Sequence, residues 1–275
     1  MKFVVDAYGA DKGERVVAEG CVDALNLRSD LKLVIAGDAD VIAPLLEKSA
    51  YDKSRLEIID AKDKITNDES PTAAIKNKPG SSMVAAFDAC RTRDDIDGII
   101  SAGSTGALLT GAILKIGRIP GVLRPALCPL LPSGNGGYVA LCDSGANVDC
   151  KPEYLAQFAV MASGFMQTFA HIPSPRVALV SVGDEDKKGN ELTHAAFELI
   201  KKTNLNFVGN MEARYALGGD YDVLVCDGFV GNVLLKTIEG TAMYVLKLLK
   251  NEIYGSAKAK FGALFMKSAF ANLKN

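Results

Sequence analysis

The sequence predicts an α/β protein built on a mostly parallel sheet covered on both faces, with one antiparallel arm. Three observations carry that expectation. Short, continuously apolar runs such as Val223-Leu224-Val225-Cys226 read as strands buried on both faces. These runs alternate with stretches of helical spacing, the order that gives parallel strands joined by crossover helices. One break in the rhythm, two apolar runs joined by Pro132-Ser133-Gly134-Asn135-Gly136-Gly137, has hairpin chemistry.

Taken in order, residues 3–6 form a first strand, 6–11 a turn and 14–27 a helix. A strand over 31–36 ends at Gly37, and Asp38 is a natural N-cap for the helix that follows. Residues 56–59 make a third strand. The polar stretch 60–80 reads as a loop with at most a short helix, before a helix over 81–91 capped by Ser81 or Ser82. A strand over 98–101 runs into Ala102-Gly103-Ser104-Thr105-Gly106 and an apolar helix that stops at Gly117. The arm follows, with strands over 126–131 and 138–142; it either reaches toward another subunit or forms a sheet edge. Pro152 opens a helix to about residue 169. A strand over 177–182, a helix through 202, a short strand at 207–208 and the strand 223–226 complete the alternation. Helices over about 233–254 and from 256 fill the remainder.

Composition narrows the functional classes. Of 275 residues, 48% are hydrophobic and 23% charged, as in a globular protein with a sizeable core. A formal charge of −2 gives no reason to expect nucleic acid. Residues 241–275 nevertheless hold six lysines against Glu252, a net +5 that leaves −7 on the rest. The six cysteines form no CxxC pair and lie mostly in apolar runs, so reduced thiols are expected. Neither His171 nor His194 has a cysteine at ligand spacing, so no metal is expected. No apolar run approaches the ~20 residues of a membrane span. The early Asp6 is unlike a signal peptide, and a cytoplasmic location is expected.

The chemistry-bearing residues gather at the turns that follow strands. In parallel sheets ligands bind beyond the carboxyl ends of the strands. No GxGxxG follows a strand, and GxxxxGK[ST] and GxSxG are absent, which removes the usual support for nicotinamide, ATP and serine-hydrolase readings. Four turns are expected to meet in one cleft: 101–106, 143–147, 188–190 and 227–232. They offer glycine, hydroxyl, amide, one lysine and a few acids, without a nucleophile paired to histidine. That set suits holding phosphate and stabilising charge on an oxygen. In 227–232, Gly228 and Gly231 are expected to make a tight turn that aims N–H groups at an anion, with Asn232 beside it. Ser104 and Thr105 are either helix caps or phosphate contacts, and Asp143 and Asn147 either Asx-turn residues or ligand contacts. Lys188 precedes Gly-Asn at a helix start, where its charge opposes the macrodipole. Phe261, Leu264, Phe265, Phe270 and Leu273 recur near helical spacing among Lys258, Lys260, Lys267 and Lys274. Such a stripe lies either on an anionic membrane surface or against the domain or a partner subunit.

Five pieces carry a resemblance: 100–107, Arg124-Pro125, 143–149, Lys188-Gly189-Asn190-Glu191 and 226–232. In this order they resemble the bacterial phosphate acyltransferases, PlsX. The resemblance implies a three-layer α/β fold similar to the isocitrate dehydrogenase and phosphotransacetylase group, working as a homodimer. It implies that an acyl carrier protein thioester and inorganic phosphate give acyl phosphate, for phospholipid synthesis, without a cofactor. Lys188 and Asn232 match the family's active residues. Ser104, Thr105, Gly106, Asp143, Asn147, Asn190, Asp227 and Gly231 are expected to bind substrate. Residues 1–240 are expected to form the α/β catalytic domain. Residues 241–275 are expected to form a helical, lysine-rich segment for membrane or dimer contact. A coenzyme A-dependent, phosphotransacetylase-like enzyme and a non-catalytic membrane-surface scaffold are the alternatives. The chain departs from the family in three places. It has Asp6-Ala7-Tyr8-Gly9-Ala10-Asp11 for Asp-Ala-Met-Gly-Gly-Asp, and Ser104 where asparagine is usual. Family members also run several tens of residues further, through a glycine-rich strand with a His-Gly pair.

Overall fold

The computed structural model describes residues 1–10 and 12–266. Contacts divide the chain into two compact units, residues 1–125 and 126–275.

In the first unit β1 (Lys2–Asp6), α1 (Glu14–Leu27), β2 (Lys32–Gly37), α2 (Ala39–Glu47) and β3 (Leu56–Asp60) alternate as expected. Asp38 caps α2 by accepting the Asp40 N–H. Two helices, α3 (Pro71–Asn77) and α4 (Ser82–Thr92), precede β4 (Gly98–Ile100). The four strands form a parallel sheet in the order β3-β2-β1-β4. Alternation sorts β1 between two cores. Val5 joins Leu33 and Ile35 under α1 and α2. Val4 joins Val34, Ala86 and Ala89 against α4. The unit therefore has three layers. After β4, α5 (Thr105–Gly111) passes into a π-turn over Ala112–Ile116, and Gly117 ends it at φ 95°.

The second unit contains β5 (Leu130–Pro132), β6 (Tyr138–Cys142), α6 (Pro152–Phe169), β7 (Arg176–Ser181), α7 (Glu191–Ile200), β8 (Asn206–Glu212) and β9 (Val223–Val225). It closes with α8 (Gly228–Gly255) and α9 (Ala257–Phe265). The strand order is β5-β6-β9-β7-β8, with only the β5–β6 arm antiparallel among the described strands. Val223 and Val225 face Phe158 and Ile200, whereas Leu224 faces Leu234 of α8. Here too a sheet lies between two helical layers.

The α/β class is as expected, its strands divided between two sheets, and position 240/241 lies inside α8. Several single elements differ from the expectation. The arm's first strand is confined to Leu130–Pro132, although 126–131 is expected from its apolar residues. β8 extends to seven residues because, as an edge strand, it tolerates Gly209 and Asn210 within it. The largest change is at 227–232. Gly228 to Asn232 are already helical, with Asp227 as N-cap accepting the Val230 N–H at 2.9 Å. In α8 only Gly228, Gly231 and Leu234 are buried, so its later turns expose Met243, Tyr244, Leu246 and Leu249. Phe261 and Phe265 are exposed on α9. Asp11, Lys267, Phe270, Leu273 and Lys274 lie outside the described residues, as does the side chain of Leu264.

Candidate active site

Three of the four singled-out turns share one edge of the second unit's sheet. β6, β9 and β7 are parallel neighbours, with Cys142 and Leu179 both in register with Val225. Their carboxyl ends therefore lie side by side. Residues 143–147 leave β6, Asp227 and α8 leave β9, and the loop to Asn190 leaves β7. The fourth turn, 101–106, leaves β4 in the first unit.

Asp143 builds the first of these turns. It is fully buried, and its carboxylate is occupied from within the loop and from Leu127 at the start of the arm. Oδ1 accepts the N–H groups of Leu127 (2.9 Å) and Ala146 (3.2 Å). Oδ2 accepts the Asn147 N–H (2.7 Å) and its side-chain amide (2.9 Å). These bonds tie the carboxylate to the backbone three and four positions on and to the arm, an arrangement wider than the two-residue Asx-turn. Gly145 sits at φ 135°, a conformation L side chains rarely adopt, and its open side faces Asn232.

The α8 end is fitted tightly against that loop. The Gly228 N–H donates to the Asn147 carbonyl at 2.7 Å. A Cβ on Gly231 would stand 1.9 Å from the Asp143 carbonyl oxygen. Gly228 and Gly231 are thus required for close approach, not for a turn. The expected N–H cradle is correspondingly reduced, since the Gly228 and Val230 N–H groups already have acceptors. Asn232 remains exposed, next to Gly145.

The third turn carries Lys188. Its aliphatic stem passes over Gly183, where a Cβ would lie 2.8 Å from Lys188 Cγ. The side chain is exposed and forms no ion pair among the described residues. Asn190 caps α7 through a reciprocal pair with Thr193, so its side-chain oxygen is committed to the helix. Asn210, which no motif of the sequence singles out, holds the loop in place. Its buried amide donates to the carbonyls of Glu185 (2.9 Å) and Lys188 (3.3 Å). The repeated tetrapeptide Phe-Val-Gly-Asn, ending at Asn210 and at Asn232, was the available signal. It places one asparagine under the lysine loop and the other on α8.

In the first unit, Ser104 caps α5 by accepting the Ala107 N–H at 3.4 Å, Thr105 is exposed in the first helical turn, and Gly106 packs against Pro71. Asp6 is buried beneath this turn. It accepts the hydroxyls of Ser82 and Ser101 and the Tyr8 N–H, and burial raises its carboxyl above the ordinary value. Ser101 Oγ in turn accepts the Gly103 N–H at 3.1 Å. A Cβ on Gly9 would reach within 2.3 Å of Gly103 Cα, so the turns after β1 and β4 interlock. Among the described residues no group of histidine, cysteine and carboxylate side chains is arranged to hold a metal. No described helix is long and apolar enough to cross a membrane.

Two α/β units with this topology define a class. The fold is similar to EutD phosphotransacetylase from Staphylococcus aureus (TM-score 0.62, 19% identity, covering 87% of this chain and 82% of that one). It is also similar to a phosphotransacetylase from Streptococcus pyogenes (TM-score 0.64, 20% identity, covering 88% and 82%). The protein therefore has the phosphotransacetylase type of α/β fold.

Sequence comparison is more specific. The family described as "Fatty acid synthesis protein" matches residues 1–275. The phosphate acyltransferase of Clostridium acetobutylicum is 46% identical over 267 residues, covering 97% of this chain and 80% of the relative. That of Clostridium perfringens is 45% identical over 275 residues, covering 100% and 80%. The chain belongs to the fatty acid synthesis protein family, that of the bacterial phosphate acyltransferases or PlsX.

Proposed function

We propose that the protein transfers an acyl group from an acyl carrier protein thioester to inorganic phosphate, feeding phospholipid synthesis. The observation that carries this reading is the similarity to phosphate acyltransferases over almost the whole chain. The shared sheet edge of the second unit agrees with it. A phosphate oxygen attacks the thioester carbonyl, a C–O bond forms, and the C–S bond breaks to release the carrier thiolate. The acceleration comes from placing phosphate beside the acyl carbon. Lys188, with no ion-pair partner among the described residues, offsets charge on phosphate and on the developing oxyanion. Asn232 donates its amide to that oxygen. Asp143, Asn147, Asp227 and Gly231 set the position of Asn232, Asn190 fixes the start of α7, and Ser104, Thr105 and Gly106 contact substrate at the turn after β4. The exposed apolar turns of α8 and α9, with Lys258 and Lys260, are proposed to meet a second copy or a membrane surface, a pairing suited to large apolar patches.

The test is acyl phosphate formation by the purified protein from one acyl group presented on acyl carrier protein or on coenzyme A. The proposal expects phosphate-dependent product and faster turnover on the carrier protein. Preference for coenzyme A would assign the phosphotransacetylase-like reaction, and no acyl phosphate from either would leave only a scaffold.

A further inference from the structure

Cys128 and Cys142 face each other across the arm. β5 and β6 pair with Leu130 opposite Ala140, so the same register carries Cys128 opposite Cys142. The ladder reaches that far, because Leu141 donates its N–H to the Pro129 carbonyl at 3.0 Å. That bond makes 129/141 a hydrogen-bonded pair and leaves 128/142 a non-hydrogen-bonded one, whose side chains approach most closely. Such pairs separate their Cα atoms by about 4.5 Å, within the roughly 4.4–6.8 Å that a disulfide spans. Both side chains also belong to one apolar cluster beneath α6. Cys226 is excluded as a partner because it packs on the opposite face of the sheet, its Sγ donating to the Asp143 carbonyl at 3.4 Å. Cys150, on the near face, donates to the Asn147 carbonyl at 3.3 Å.

We propose that Cys128 and Cys142 form a reversible disulfide, an oxidation site that governs the Asp143 loop. Cys128 is the reachable thiol, since Cys142 is buried and Cys128 only partly so. The facing Cys142 holds Cys128 below the ordinary thiol value, while Cys142 itself is pushed up by Cys128 and by burial. The Cys128 thiolate attacks a hydroperoxide, breaking its O–O bond and becoming a sulfenic acid. The Cys142 sulfur displaces the sulfenic oxygen, which leaves as water with the Cys142 proton. With hydrogen peroxide, two thiols give one disulfide and the peroxide becomes two waters. The bond joins residues that flank the loop's central contact. Leu127, next to Cys128, donates to the carboxylate of Asp143, which is next to Cys142. Drawing the sulfurs together shifts both ends of that contact, and with it the loop whose Gly145 faces Asn232.

The consequence for activity rests on the proposed acyl transfer, whereas the linkage itself does not. The experiment treats purified protein with hydrogen peroxide, blocks free thiols by alkylation and maps the peptides without reduction. A Cys128–Cys142 linked pair is expected that dithiothreitol removes, that Cys128→Ser abolishes and that Cys150→Ser retains. Acyl phosphate formation should fall several-fold on oxidation and return on reduction, with Cys128→Ser insensitive. Cys142 still open to alkylation, Cys128 linked to Cys150, or full activity of the linked protein would overturn the proposal. A reduced protein that makes no acyl phosphate would instead count against the acyl transfer reading, and the peptide map would still decide the linkage.

Discussion

Replacing Gly231 with alanine tests how the site is held together. A Cβ there would lie 1.9 Å from the Asp143 carbonyl oxygen and 2.9 Å from Cys226 Sγ, whereas real Cβ atoms essentially never come within 3.0 Å of a neighbour. The start of α8 and the Asp143 loop must therefore part by at least about 1.1 Å. Overpacking of this kind costs about 1–3 kcal/mol. Each kcal/mol lowers Tm by roughly 2–4 °C in a protein of 150–250 residues. The catalytic effect should be larger. A misplacement of about 1 Å in a reacting constellation costs on the order of 100-fold in rate. Gly164→Ala is the matched control. Gly164 lies inside α6 with open space at its Cβ position, and alanine there should stabilise by about 0.5–1 kcal/mol without touching turnover. The assay is acyl phosphate formation at saturating phosphate and carrier thioester, beside a thermal melt of each variant. Gly231→Ala with wild-type turnover and unchanged Tm would refute the claim that α8 and the Asp143 loop form one fitted unit.

Two further outcomes are expected. Lys188→Ala should lose about 3–4 kcal/mol of transition-state stabilisation, orders of magnitude in turnover, with a Tm like wild type because the residue is exposed. Lys187→Ala, one position away, should keep its rate; equal losses in both would show a general charge effect. Asp6 makes the pH prediction. Burial raises its folded-state carboxyl above the unfolded value, so the folded form holds the proton more tightly. Stability then falls as pH rises from the ordinary carboxylate range through the folded value, and stays lower above it. Asp6→Asn removes this titration, so Tm should decline less across that window; identical slopes in the two proteins would contradict it.

The regular elements were legible because their signals are local. The helix over 14–27 agrees with α1 at both ends, and Asp38 and Ser81 cap the helices they precede. Buried parallel strands announce themselves as unbroken apolar runs, as at β9. What stayed hidden depends on partners distant in sequence. Gly228 and Gly231 look the same in sequence whether they turn a chain or admit a carbonyl oxygen, and only the loop from β6 decides between them. Gly209 and Asn210 interrupt the apolar pattern of β8, which hides both an edge strand and the side chain that pins the Lys188 loop. Asp143 invites a ligand-binding reading, yet its four hydrogen-bond donors are all supplied by its own arm and loop. The π-turn at Ala112–Ile116 left no mark in a mainly apolar helix, although Lys115 lies within it.

The most direct test of phosphate attacking the thioester without an acyl-enzyme stage is a single-turnover measurement in rigorously phosphate-free buffer. Protein in excess over acyl carrier thioester should release no free carrier thiol until phosphate is added, and then release it together with acyl phosphate. Stoichiometric carrier release before phosphate, with the acyl group left bound to the protein, would contradict the account.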